Sequence, residues 1–232
     1  MAIPDRTRPE TTLFLSLSVD GRITSHDSDD FDPDPKWKQQ PGVRGLLQQF
    51  YEFNEPGMSA LTIGSYMSKV GVNTRQAVPK KEKVSLVVLD PDADLNLQGI
   101  KYLTQNLEHL YYVCLKSHPI ASTKTKKSNH LPNLSLITYS QEIDLGDLFA
   151  RLYQDHHIHN LAIHSIAPLN ADLLDAGLID HLSVIITPLL VGGHGTPALQ
   201  DADVFAIRPL QLVSSQIFSN NFINLRYDVL NA

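Results

Sequence analysis

The chain has little with which to grip a phosphate backbone, build a disulfide scaffold or cross a membrane. Its 25 acidic residues outnumber 19 Lys and Arg, for a net charge of −6. That balance argues against nonspecific nucleic-acid binding. The single cysteine, Cys114, has no pairing partner and sits in the apolar run 110–115, where a thiol serves as a small core hydrophobe in a reducing compartment. No apolar run approaches the roughly 20 residues of a membrane span. The opening MAIPDRTRPE carries no signal-peptide core, so the expected location is the cytoplasm. A Walker loop, a G-x-S-x-G elbow and a G-x-G-x-x-G fingerprint are all missing. The one basic cluster, KTKK at 124–127, lies in a polar stretch and reads as a solvated loop.

What is present reads as an α/β protein. A chain of 232 residues, 42% hydrophobic and 19% charged, is long enough for one full α/β core or two small ones. No linker or repeat divides it, so one domain over 12–232 is expected behind a loose arm over 1–11. Strands are expected at 12–19, 58–63, 84–89, 110–115, 134–138, 160–164 and 182–188. Helical spacing appears at 43–53, 98–107, 143–154 and 169–176. The segments 210–218 and 222–230 read as a hairpin turned by Asn220 and Asn221. The sheet is therefore expected to be mostly parallel with a C-terminal antiparallel hairpin and helices on both faces.

The most informative stretch runs from His181 through VIITPLLVGGHGTP. An apolar strand buried on both faces enters a loop where Gly192, Gly193 and Gly195 remove three Cβ atoms. Ligands in open α/β sheets collect outside the carboxyl ends of strands. Those ends here are Asp20-Gly21, Gly64-Ser65, Asp90-Pro91, Ser165-Ile166 and Gly192-Gly193. Helix starts near 65 and 168 offer unpaired N–H groups to an anion. His164 closes a strand at this end, and an imidazole of ordinary pKa suits proton donation near neutrality; the alternative is a strand-end histidine bonded to backbone.

Other clusters read as structural. His156, His157, His159, His164 and His181 are half of the ten histidines, but no Cys or paired carboxylate completes a metal set. The aspartate run 27–34 lacks the glycine and closing Glu of a calcium loop. It belongs to a long excursion over 25–40, with Trp37 as an anchor on the core.

Three motifs carry a resemblance over residues 12–230. SVDGRI at 18–23 resembles the S-L-D-G-[KR]-I signature of the riboflavin-biosynthesis reductases, the reductase half of bifunctional deaminase–reductases. NADLLDAGLIDHL at 170–182 is similar to that family's helix and following segment, with His181 in place of Glu. TPLLVGG at 187–193 resembles its late strand and glycine loop.

The resemblance implies a dihydrofolate-reductase-like fold and a reductase that moves hydride from NADPH to a small heterocyclic or open-chain ribityl-type substrate, in a homodimer. By that resemblance Ser16, Asp20 and Gly21 lie near nicotinamide and substrate, and Asp20 and His164 are the catalytic candidates. Gly64 and Ser65 border the cofactor, Asp90 and Pro91 approach its adenosine end, and Gly192 and Gly193 line the site.

The chain departs from the family at one wall. Relatives read Glu-Gly-Gly-Pro-Thr where this chain has His164, Ser165, Ile166, Ala167, Pro168 and Leu169. Ser165, Ile166, Ala167 and Leu169 are still expected beside the cofactor through their helix-start N–H groups. Their added Cβ atoms keep a second reading open: a binding or assembly module that retains the fold without catalysis.

Overall fold

The computed structural model describes residues 6–23, 59–76, 81–122, 131, 133–192, 207–218 and 221–230. The aspartate-rich excursion with Trp37, the helix expected at 43–53, the basic cluster, Gly193 and Gly195 lie outside these residues. The chain groups into two compact units, residues 1–9 with 57–161 and residues 10–56 with 162–232. The architecture is mixed α/β, mostly parallel, closed by an antiparallel C-terminal hairpin, as the strand and helix pattern leads one to expect.

In the first unit, β2 (Ser59–Ile63), β3 (Glu82–Leu89), β4 (Leu107–Leu115) and β5 (Leu134–Tyr139) pair in parallel in that order. Helix α1 (Gly64–Lys69) follows β2, and α2 (Leu97–Asn106) lies between β3 and β4. Leu86, Val88, Ile100, Leu103, Leu110, Tyr112 and Cys114 form one buried cluster with α2. Cys114 is fully buried, and that burial pushes its thiol up to about 11. It is the inert core residue expected.

Strand β4 starts three residues before the expected Leu110, directly from the end of α2. The reason is a clamp at the helix C-terminus: the Asn133 amide donates to the carbonyls of Thr104, Leu107 and Glu108. These are the acceptors a helix end leaves open. After a single turn, α3 (Pro119–Ser122), comes β5 and then α4 (Leu145–Gln154). Helix α4 begins two residues later than its apolar spacing suggests, because Asp144 caps it by accepting from Asp147 N–H at 2.9 Å.

Strand β6 (Asn160–Ile163) crosses the division between the units at Leu161. The second unit holds β1 (Glu10–Ser18), α5 (Ala167–Asp175), β7 (His181–Thr187), β8 (Leu210–Ile217) and β9 (Ile223–Val229). Strand β1 pairs in parallel with β7, which pairs antiparallel with β9, and β9 with β8. Helix α5 ends in a double backbone closure, Leu178 N–H to Leu173 C=O and Gly177 N–H to Leu174 C=O, with Gly177 at φ 64°. That is the stop predicted for Gly177. At the hairpin turn Asn221 takes φ 65°, again as expected of asparagine.

Strand β1 starts at Glu10, inside the stretch expected to be a loose arm. Thr11 explains this. Its N–H bonds Asp180 Oδ2 at 2.9 Å and its hydroxyl donates to Leu178 C=O at 2.6 Å. Beside it, His181 Nδ1 lies 2.7 Å from Asp228 Oδ1 and Nε2 lies 3.1 Å from Glu10 Oε1. Burial lowers the affinity of His181 for a proton, but the bonds and charges of Glu10 and Asp228 outweigh it, and its pKa is raised overall.

The clamp therefore stabilises the charged ring. Its contribution is complete below the unfolded value near 6.5 and fades as pH rises through the higher folded pKa. Thermal unfolding across pH 6 to 9 should show this loss, on the order of 0.5 kcal/mol for so exposed a pair. His181→Gln should flatten that part of the profile; an unchanged slope in the variant would remove the clamp from the account.

Candidate functional site

Because β1 and β7 are parallel neighbours, their carboxyl ends meet at the pair Ser18 and Thr187. The chain turns there through Asp20 and Gly21, and the loop after β7 runs alongside. Ser18 Oγ donates to Asp20 Oδ1 at 2.7 Å and accepts from Arg22 N–H at 2.9 Å. Asp20 Oδ1 accepts from Val191 N–H at 3.0 Å, and Oδ2 from Gly192 N–H at 2.7 Å. Val19 N–H adds a bond to Leu189 C=O at 2.9 Å. The Ser18 hydroxyl first, and then the two loop amides, hold the Asp20 carboxyl far below the usual range. Gly192 sits at φ 66°, which a side chain would strain, and this conformation delivers its N–H to Asp20.

The same unit places His164, Ser165 and the start of α5. Alternation along β1 puts Phe14, Ser16 and Ser18 on one face, level with Ser183, Ile185 and Thr187 of β7. The His164 ring stacks on Phe14, centroids 5.6 Å apart and planes at 21°. Burial pushes the His164 pKa down to about 4. The expectation of a donor with an ordinary pKa is corrected accordingly: desolvation keeps the ring neutral at pH 7.

The buried Ser16 Oγ has no hydrogen-bond partner among the described residues. Ser165, fully buried, gives its hydroxyl to Asn170 Oδ1 in the first turns of α5. Ile166 is the N-cap, in extended backbone at φ −101°, and among the described residues no side chain caps the amides that follow it, Ala167 and Leu169 among them. Pro168 in the first turn fits the helix there, since that position needs no N–H.

The first unit gathers the remaining candidates at the ends of β2 and β3. Gly64 packs directly on Asp90, so closely that a Cβ would overlap the Asp90 carboxyl group. Ser65 is partly exposed in the first turn of α1, and Pro91 is exposed. Asp90 is fully buried and already engaged. It accepts from Asp94 N–H at 2.9 Å, from Leu95 N–H at 3.0 Å and from the Tyr112 hydroxyl.

His118 extends this chain of bonds. Its Nδ1 accepts from Ile120 N–H at 3.0 Å, which leaves the proton on Nε2, 3.1 Å from Tyr112 Oη. Burial lowers its pKa against the opposing pull of Asp90, so the ring stays neutral. Asp90 thus holds the turn after β3 in shape.

The structure brings Asp20, Gly192, Ser16, His164 and the start of α5 into one unit, and Gly64, Ser65 and Asp90 into the other. Gly193 lies outside the described residues. Sequence reasoning missed Ser18, Asn170, Tyr112 and His118. Ser18 had a usable signal, its two-residue spacing from Ser16. Tyr112 had none, being one more apolar position in a buried strand.

Polar side chains and loop amides gather at the strand ends of a mostly parallel α/β chain, the end at which open sheets take their ligands. The chain belongs to the RibD C-terminal domain family, whose pattern matches residues 9–223. No curated protein sequence matches it.

Among solved structures, RibD of Acinetobacter baumannii is 19% identical, with a TM-score of 0.64 over 97% of this chain and 59% of its own. The Saccharomyces cerevisiae riboflavin biosynthesis reductase Rib7 is 12% identical, TM-score 0.65, over 98% and 93%. The Thermotoga maritima diaminohydroxyphosphoribosylaminopyrimidine deaminase/5-amino-6-(5-phosphoribosylamino)uracil reductase is 16% identical, TM-score 0.62, over 96% and 57%. The chain thus spans less than three-fifths of the two bacterial proteins. At these identities the likeness is one of fold.

Two substitutions test the geometry. Asp20→Ala should speed amide exchange at Val191 and Gly192 while leaving the β7 amides protected; unchanged exchange would mean that the loop is held by something else. Gly64→Ala should shift the urea midpoint by about 3 kcal/mol of lost stability, the upper end of overpacking costs, since the Asp90 carboxyl cannot move without breaking its bonds.

Proposed function

We propose that the chain is a reductase of the riboflavin-biosynthesis type, binding NADPH and reducing an aminouracil that carries a phosphoribosyl chain. One observation carries this reading. The first turn of α5 keeps its amides free of side-chain caps, in the same unit as a neutral His164 and an orphaned Ser16 hydroxyl. That donor set suits a ligand with phosphates and amide carbonyls: helix-start amides favour phosphate, and a buried hydroxyl without a partner costs free energy until something accepts from it. Family membership and the reductase names of the yeast and Thermotoga structures support the same reading.

NADPH supplies the hydride when bound. The residues of this chain do the rest. Ala167 and Leu169 present amides for the phosphates, and Ser165 and Ile166 form the wall beside them. Ser16 donates to a carbonyl of nicotinamide or substrate. His164 presents a neutral ring stacked on Phe14, and Asp20 with Gly21 shapes the turn while it holds the Gly192 loop. In the other unit Gly64 packs on Asp90, which braces the turn after β3.

The second reading, a binding or assembly module without catalysis, is favoured by the Cβ atoms that Ser165 and Ile166 add where relatives carry glycine. Thermal unfolding with NADPH separates the two. At a hundredfold excess over Kd the cofactor should add about 2.7 kcal/mol, a rise of roughly 5–10 °C for a chain this size. NADPH oxidation should then require the aminouracil substrate. No shift with millimolar NADPH sinks the reductase reading. A shift gained only by Ser165→Gly with Ile166→Gly would establish the module instead.

A further inference from the structure

Strand β4 ends at Leu115, and the chain turns into α3 through His118. The His118 N–H donates to Leu115 C=O at 2.9 Å, and its own carbonyl accepts from Ala121 N–H at 2.9 Å. Its ring joins the same turn. Nδ1 accepts from Ile120 N–H at 3.0 Å, and Nε2 lies 3.1 Å from Tyr112 Oη. His118 is 5% exposed, and Ile120 is buried beside it. The ring thus caps α3 with a lone pair, satisfying an amide that the start of a helical turn leaves open. Serine or aspartate is the common choice for such a cap, and neither loses its acceptor near neutrality. An imidazole does.

The geometry is that of a neutral ring. With Nδ1 accepting, the ring proton sits on Nε2 and points to Tyr112 Oη, whose hydroxyl donates in turn to buried Asp90. A second proton can enter only at Nδ1, the atom that holds Ile120 N–H, and it would set two N–H groups face to face. The surrounding charges do not offset this. From the turn after β3, Asp90 Oδ2 lies 3.8 Å from Nε2, but that carboxylate already accepts from the Asp94 and Leu95 amides and from Tyr112. Asp94 stands beyond Asp90, within the field of Lys69 from α1. Strand β4 contributes Tyr112 and Cys114, both kept protonated first of all by burial. Lys116 turns to Ser140 Oγ at 3.0 Å. Burial outweighs the pull of Asp90, and the His118 pKa is lowered.

We propose that His118 is an acid-released latch: a proton taken up at Nδ1 frees the Ile120 amide and lets the segment 118–122 lift from the turn after β3. A charged ring with one donor facing another cannot stay buried, so it turns out to water. The two segments loosen together, because His118, Tyr112 and Asp90 form one line of bonds from α3 to the turn that β3 enters. Both follow the carboxyl ends of parallel strands, the end where open sheets take ligands, so pH sets the shape of that end. Because the folded state prefers the neutral ring, the stability the latch adds is whole above about pH 6.5 and is lost as pH falls toward the lower folded value. The His181 clamp runs the other way, since its charged ring is the stabilised form.

Amide exchange followed by NMR on the whole chain at pH 7.5 and pH 5.0, each corrected for the intrinsic rate, tests this. Ile120 protection should fall about tenfold or more at the lower pH, while Val113 within β4 keeps its own. His118→Asn puts Oδ1 in the place of Nδ1, and an amide oxygen does not titrate in this range, so the variant should keep Ile120 protected at pH 5.0. Equal protection of native Ile120 at both pH values overturns the proposal, and so does a loss of the same size in the folded variant. Should the variant fail to fold, the native ring decides. Long-range proton–nitrogen correlation should show His118 protonated on Nε2 alone at pH 7.5, with Nδ1 gaining its proton over the pH range that frees Ile120. An Nδ1–H tautomer at pH 7.5, or a charged ring with Ile120 still protected, overturns the latch.

Discussion

The parallel pairing of β1 with β7 is the constraint on which the second unit depends. Leu13 lies level with Leu182 and Ser18 with Thr187, so the two strands end together and the turns that follow come within reach of each other. Only then can one carboxylate, Asp20, accept from amides at positions 191 and 192. The register is pinned at both ends. Thr11 is tied to Asp180 and Leu178 at the start, and the Thr187 hydroxyl donates to Leu17 C=O at 2.9 Å at the finish. A slip of one residue would exchange the Ser16 and Ser18 face with the Leu15 and Leu17 face. Hydroxyls would then enter the apolar layer, and leucines would line the polar one.

That sorting into faces was largely readable beforehand. TLFLSLSV alternates openly, the run before Pro188 is buried on both sides as its composition implies, and Gly177 and Asn221 adopt the backbone their positions call for. Strand ends, and with them the candidate residues, followed from the same pattern. What escaped is contact between distant positions. Asp20 and Gly192 are 172 residues apart, and Asp90 reaches Tyr112 across 22. Tyr112 reads as one more large side chain in an apolar strand, so nothing local shows that its hydroxyl completes a buried carboxylate. The register shift of β8 against β9 between Leu212 and Ser214 is equally silent, since LQLVSSQI scans as an ordinary strand.

Burial of His164 shows why a residue's type is weaker evidence than its surroundings. In sequence the histidine closes a strand and precedes a polar residue, the setting of a solvated switch near neutrality. Stacked on Phe14 and desolvated, it keeps a neutral ring across the physiological range.

On the proposed reading an acidic chain favours an anionic ligand, and the way its carboxylates are engaged explains how. The Asp20 charge is met by one hydroxyl and two amides, and buried Asp90 by two amides and a hydroxyl. Neither stands as a bare carboxylate to repel phosphate. On the proposed reading, attraction comes from the backbone at the start of α5, where donors are fixed and need no lysine. The serine that replaces glycine there spends its hydroxyl on Asn170 and leaves the amides of Ala167 and Leu169 uncapped. The departure from the family pattern therefore leaves the donors at the start of α5 in place.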